Sequence, residues 1–187
     1  RSGAEEAARG YSLLSWRGPC PQQYLDQVAT LINAFADAPH SPGEEAEQMT
    51  GQRVLQTDVR IAAQGLRHYT VVARHDETGE LAALTALSVD PLQPDWGFQE
   101  LTAVTRAHRG HRLGLLVKVA MLQLLAGAEP GLEHIHTANA DGNSHMIAIN
   151  DALGFRPHDR FTTWQLGVGR DGLTSPPPAG AAERPAS

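Results

Sequence analysis

Between Leu101 and Ala128 the chain carries no acidic residue, yet Arg106, Arg109, Arg112 and Lys118 place four positive charges there. The protein is formally −6 overall, so everything outside this window sums to −10. An acidic balance of that size excludes a general polyanion binder and makes the basic island a local device. The order of residues within it says what kind. Val104, Thr105 and Arg106 end a run of strand character, Arg109-Gly110-His111-Arg112 make a basic turn, and Leu113-Gly114-Leu115 open a helix. The first N–H groups of a helix have no partner inside it and carry a partial positive charge. Those donors, joined by arginines, suit a phosphate or diphosphate.

A second polar junction follows, Thr137-Ala138-Asn139-Ala140-Asp141-Gly142-Asn143-Ser144-His145-Met146, continuing through Ile149, Asn150, Ala152 and Leu153 to Gly154-Phe155. Asn143 or Gly142 can cap a helix start. Met146, Ile149, Ala152 and Leu153 recur at helical spacing, and Gly154 suits the left-handed residue after a helix.

Together these two blocks resemble the GNAT superfamily of N-acetyltransferases. Its acetyl-CoA signature, Q/R-x-x-G-x-G/A, reads here as Arg109-Gly110-His111-Arg112-Leu113-Gly114, with Arg112 where glycine is usual. The resemblance covers residues 10–167, with its motifs concentrated in 99–155. It implies acetyl-CoA as acyl donor and no metal. The diphosphate would lie on the backbone N–H groups of His111, Arg112, Leu113, Gly114 and Leu115 and on the side chains of Arg109 and Arg112, with Gly110 shaping the turn. Asn143 would be a further cofactor contact. GNAT sheets splay between the fourth and fifth strands, so backbone groups of Val104, Thr105 and Arg106 would be free there for the pantetheine amides.

The implied reaction moves an acetyl group to a primary amine of a small molecule or peptide by direct attack. The amine must arrive deprotonated, and the departing thiolate needs a proton or a hydrogen bond. By the period-two rule Phe98, Glu100, Thr102 and Val104 share a strand face, and Glu100 is the one carboxylate on it, which makes it the candidate general base. Many GNAT enzymes place a tyrosine acid seven residues after the capping Asn; here that residue is Asn150. Asn150 can hydrogen-bond sulfur but cannot surrender a proton. The expected pH profile therefore rises along one ionisation and shows no falling limb from a phenolic donor. The alternative is a catalytically weak or inactive unit that binds acyl-CoA beside a partner domain. The chain is similar to the C-terminal unit of tandem GNAT proteins, which implies a missing N-terminal unit as partner; a homodimer is also open.

These residues need a scaffold. Strand character at Gly10–Arg17 is followed by an amphipathic helix over Pro21–Ala36, with Leu25, Val28, Ala29, Ile32 and Phe35 on one face, and a second helix over 52–65. Strands follow at 67–75, 80–89 and 97–106, the first two joined by a turn at Asp76-Glu77-Thr78-Gly79. A helix at 112–127, a strand at 133–138, a helix at 143–153 and a last strand at 160–166 complete a mixed α/β fold, with a mostly antiparallel sheet flanked by helices. Residues 1–9 read as a linker and 168–187 as a disordered Pro/Gly/Ala-rich tail.

The remaining features set limits. The 187 residues suit one core. No apolar run approaches a membrane span, and Cys20 is the only cysteine, so a reducing cytoplasm is the expected setting. Cys20 lies far from the motifs in sequence, which argues against a covalent acetyl-enzyme. His134 and His136 share a strand face but lack a carboxylate or thiol partner for metal. His108 reads as an exposed turn residue and Trp164 as a packed one.

Overall fold

The computed structural model describes residues 8–36, 48–162, 164, 168–169 and 172–173. The chain divides into two compact units, Arg1–Phe155 and Arg156–Ser187. The first holds a five-stranded sheet in the order β1-β2-β3-β4-β5, comprising β1 (Tyr11–Arg17), β2 (Arg67–His75), β3 (Leu81–Val89), β4 (Trp96–Val104) and β5 (His134–His136). Pairing is antiparallel throughout except for β4 with β5, which is parallel. In the second unit Val168–Gly169 pairs with Gly172–Leu173. Of the last strand expected at 160–166, Arg160, Phe161, Thr162 and Trp164 have no strand conformation, and the rest lies outside the described residues. Trp164 is exposed rather than packed.

Burial follows position in the sheet. β3 is central, reads Leu-Ala-Ala-Leu-Thr-Ala-Leu-Ser-Val, and is buried at every position, as a strand covered on both faces must be. The edge strand β1 alternates instead. The β2–β3 turn ends at Gly79, whose φ of +73° is one that a side chain resists.

Among the described residues the α-helices are α1 (Leu25–Ala36), α2 (Gly51–Ala63), α3 (Leu113–Ala128) and α4 (Ser144–Leu153), of which the first three pack on the sheet and α4 packs on α3. On one face α3 packs Leu113, Val117, Met121 and Leu125 against Tyr69, Val71, Ala73 and Leu87. On the other, α1 and α2 set Val28, Ala29, Leu31 and Val54 against Val72, Leu81 and Leu84. Leu31, absent from the apolar stripe expected for α1, is its most buried side chain, and the Phe35 side chain lies outside the described set. Thr50 caps α2 by accepting from the Arg53 N–H at 3.3 Å.

The far end of α3 is tied to β2 by a polar clamp. Arg67 donates to both oxygens of Glu129, at 2.6 and 2.9 Å, and the Tyr69 hydroxyl adds a third bond at 2.5 Å. Burial opposes the Glu129 charge, yet the bonds from Arg67 and Tyr69 outweigh it and hold the carboxyl below its usual range.

The β4–β5 pairing is short. It comprises Trp96 with His134, Gly97 with Ile135 and Phe98 with His136, so the fifth strand spans three residues rather than 133–138. Both histidines lie against the aromatics opposite them, His134 at 4.7 Å from Trp96 and His136 at 6.2 Å from Phe98. From Gln99 to Val104, β4 keeps β3 on one side and, among the described residues, has no strand on the other. That one-sided stretch is the expected splay.

Candidate active site

A β-bulge reorganises the middle of β4. Leu101 pairs with Ala86 but Gln99 pairs with Leu87, leaving Glu100 as an extra residue. Gln99 patches the gap, its amide nitrogen donating to the Ala86 carbonyl at 2.6 Å, to Thr85 Oγ1 at 2.9 Å and to the Leu101 carbonyl at 3.2 Å. The bulge corrects the shared face expected for Phe98, Glu100, Thr102 and Val104. Thr102 pairs with Thr85 and Val104 with Ala83, on the α3 side. Glu100 instead joins Leu101 on the α1–α2 side, lining one cavity with it. Strict alternation cannot put neighbours on one face; an inserted residue can.

Glu100 has partners that sequence spacing did not reveal. Ser88 donates to its Oε1, and Nδ1 of His68 lies 3.6 Å from the same oxygen and 2.9 Å from Ser88 Oγ. Desolvation pushes the carboxyl upward, but the bonds from His68 and Ser88 and the nearby Arg60 charge prevail, leaving Glu100 below the ordinary range. Because Nδ1 serves both Ser88 and Glu100, this is not a nucleophile–base relay, which would need the two ring nitrogens on separate partners. His68 and Ser88 stand on β2 and β3, 32 and 12 residues from Glu100 in the sequence, so spacing within β4 could not point to them.

The cavity beside Glu100 measures about 90 Å³. Trp16, Val28, Ile32, Met49, Leu84 and Leu101 make it largely apolar, and His68 and Asp58 add polarity. Cys20 lines it too, so distance in sequence misjudged its place in space. Its thiol is nonetheless a poor nucleophile, because burial and the Asp58 charge push its pKa up to about 12. Asp58 accepts from the Cys20 backbone N–H at 2.9 Å.

At the other end of β4 the chain runs through a 3-10 turn, Arg106–His108, into α3. Arg106, Arg109, Gly110, His111 and Arg112 are all exposed. Arg112 occupies the N-cap of α3 with φ 54° and ψ 22°, the one non-glycine with positive φ among the described residues. Glycine is usual there because that backbone is left-handed. The Arg112 side chain forms no cap bond, and the first intrahelical bond is from the Leu116 N–H to the Arg112 carbonyl. The N–H groups of Leu113, Gly114 and Leu115 therefore precede the helical ladder. Arg112→Gly is expected to raise stability by about 1 kcal/mol in urea unfolding, since a side chain in this conformation costs about that much. An unchanged or lower midpoint would show that the arginine is at ease there.

The pantetheine-binding groups expected to be free are partly committed. The Thr105 N–H donates to the Ala82 carbonyl at 3.0 Å and the Thr105 carbonyl accepts from the His108 N–H at 3.0 Å. The Arg106 carbonyl accepts from the Arg109 N–H at 3.4 Å, and Arg109 Nε reaches the Val104 carbonyl at 3.4 Å. The β4 edge without a paired strand thus lies upstream, along Gln99–Val104. His108 is not a free turn residue: its Nδ1 pairs with the Tyr11 hydroxyl at 2.8 Å, beside His75 and His111.

Gly114 is needed for packing. A Cβ there would stand 3.2 Å from Ile149 Cδ1 of α4 and 3.7 Å from Val104 Cγ2. Asn143 caps α4 by accepting from the Met146 N–H at 3.2 Å. The buried residue of α4 is Asn150, whereas Ala152, assigned to the apolar stripe, is exposed. Asn150 Oδ1 accepts from Lys118 Nζ at 2.6 Å. Lys118 therefore sits inside the α3–α4 contact and not with the exposed arginines. A lysine in a helix apolar nearly all round was the available signal for this buried pair.

Comparison with known proteins places this geometry. No family model and no curated protein matches the chain. Among solved structures it is similar to a tandem GNAT protein from the clavulanic acid biosynthesis pathway, at 36% identity and a TM-score of 0.68, over 80% of this chain and 43% of that one. The chain thus spans less than half the length of that neighbour. A Trypanosoma brucei acetyltransferase shares the fold at 18% identity and a TM-score of 0.60, over 83% of this chain and all of its own. So does an aminoglycoside N-acetyltransferase in complex with CoA, at 15% identity and a TM-score of 0.58, over 84% of this chain and 96% of its own.

Proposed function

From the premise that this chain belongs to the GNAT superfamily of acetyltransferases, we propose that it moves an acetyl group from acetyl-CoA to a compact primary amine. The observation that carries this is the one-sided stretch of β4. It runs from the arginine turn at Val104 to the bulge at Glu100, about 13 Å of strand at 3.3 Å per residue. An extended pantetheine arm laid along it would have its diphosphate on the N–H groups of Leu113, Gly114 and Leu115, with Arg109 and Arg112 alongside. Its thioester would then reach the level of Glu100.

The acceptor would enter the cavity on the α1–α2 side. Its small, largely apolar walls suit an amine with an apolar body, and Glu100 would accept the amine's proton, directly or through water. Transfer would be direct, because the one thiol in that cavity is held protonated. A partner GNAT unit, as in the tandem neighbour, is part of this proposal.

One observation favours a second reading, a unit that binds acyl-CoA without transfer: Glu100 is a weaker base than a free carboxylate. Release of coenzyme A from acetyl-CoA with a panel of amines separates the two, measured beside calorimetric binding. Arg109→Ala should weaken acetyl-CoA binding at least tenfold, since a hydrogen bond to a charged group contributes about 1.5–3 kcal/mol. Binding that survives intact would remove the arginine turn as the diphosphate site. Binding without release for any amine would leave the second reading.

A further inference from the structure

Lys118 is the only lysine in the chain; the other fourteen basic residues are arginine. That one lysine is also the buried cation. It is 2% exposed, between α3 and α4, with Asn150 Oδ1 at 2.6 Å and the Phe155 ring centroid at 5.1 Å from Nζ. Buried cations normally face an anion. Here the facing groups are the Asn150 amide of α4 and the ring of Phe155, two residues beyond that helix, and no ion pair to Lys118 is seen among the described residues.

Its position is also informative. Lys118 lies one turn beyond Gly114 on the same helix face, and Gly114 abuts both Val104 of β4 and Ile149 of α4. Because α3 runs back along β4, that turn, about 6 Å, carries Lys118 from the level of Val104 toward the level of the bulge. The lysine thus stands on the α3 side of the unpaired β4 stretch, with Glu100 on the opposite side.

We propose that Lys118, held by Asn150, is the acid that protonates the departing coenzyme A thiolate, a role that rests on the acetyl-transfer reading above. The amine nitrogen bonds to the thioester carbonyl carbon and its proton passes to Glu100. The C–S bond then breaks with its electron pair on sulfur. One proton moves from Lys118 Nζ to that sulfur, giving free thiol and a neutral lysine amine. Solvent afterwards takes the proton from Glu100 and restores the one on Lys118. Arginine could not serve, since its guanidinium stays protonated in proteins. Burial lowers the Lys118 pKa to about 8, close to that of an ordinary thiol, where proton transfer in either direction is easy.

The test compares wild type with Lys118→Met and Lys118→Arg. Wild-type turnover should fall as pH rises through about 8, where the lysine becomes neutral. Both variants should turn over at least tenfold more slowly and lose that falling limb, with acetyl-CoA affinity changed less than threefold. Lys118→Arg separates acid from counter-charge, because it keeps the cation but cannot give up its proton. As the single lysine, Lys118 also gives one side-chain amine resonance, whose titration should match the kinetic limb. Wild-type rate and limb in Lys118→Met, or full activity in Lys118→Arg, would overturn the proposal while leaving acetyl transfer standing. Variants that lose cofactor binding and folded stability in step with turnover would also overturn it, in favour of a packing role. A wild type that binds acetyl-CoA but acetylates no amine would sink both this and the reading beneath it.

Discussion

Glu100→Gln should lower turnover about a hundredfold while acetyl-CoA affinity stays nearly unchanged. The substitution keeps the size of the side chain and its place in the bulge, and removes only its capacity to take a proton. Ser88 now donates to a carboxylate oxygen, with His68 Nδ1 3.6 Å away, and the amide oxygen can still accept from Ser88. Because those bonds hold the wild-type carboxyl below its usual range, it is ionised throughout the neutral region. Any rising limb of activity between pH 6 and 9 must then belong to the acceptor amine, and should move when amines of different basicity are compared. Steady-state kinetics with two such amines, beside calorimetry, checks both points. A fully active Glu100→Gln enzyme would remove this residue as the base.

Gly114→Val should act through a different route and be felt in both stability and binding. Even a Cβ at this position comes within 3.2 Å of Ile149, so the two further methyl groups of valine must push α4 or Val104 aside. Overpacking of that kind costs about 1–3 kcal/mol. Because Gly114 also contributes one of the N–H groups ahead of the helical ladder, displacement of this turn should weaken acetyl-CoA binding as well. Gly114→Ala separates the components: its one methyl asks Ile149 to yield by a few tenths of an ångström, and alanine's better helix propensity, about 1 kcal/mol, offsets that. Urea unfolding of the two variants should therefore show a clear loss for valine and little change for alanine. Equal midpoints for both would mean that α3 and α4 are not in close contact here.

Much of this architecture could be read from local pattern. The strand β3, the Gly79 turn, the basic strand–turn–helix and the helix cap at Asn143 each depend on near neighbours in the chain, and each stands close to where pattern put it. What pattern missed depends on contacts between distant segments. Cys20 and Glu100 line one cavity because β1 and β4 lie in the same sheet under α1 and α2. His68 meets Glu100 across β3. Lys118 looked like a fourth member of the basic island, because charge in a window carries no information about which face of a helix is covered. Arg112 was seen to break a glycine pattern, but the reason, a left-handed backbone at the N-cap, is a property of coordinates.

The bulge at Glu100 also gives β4 two reading frames. Upstream of it, even-numbered positions such as Phe98 belong with Ser88; downstream, odd-numbered positions such as Leu101 and Ala103 hold that side. Loss of the codon for Glu100 would therefore take out the carboxylate and the irregularity together, and leave the pairing with β3 in register. It would put the two halves of the strand back in phase, with Gln99 still opposite Leu87, Leu101 still opposite Ala86, and Phe98, Leu101 and Ala103 still on one side. This strand should thus keep its fold after loss of that one residue while losing the carboxylate, an outcome that a single-codon deletion library would expose directly.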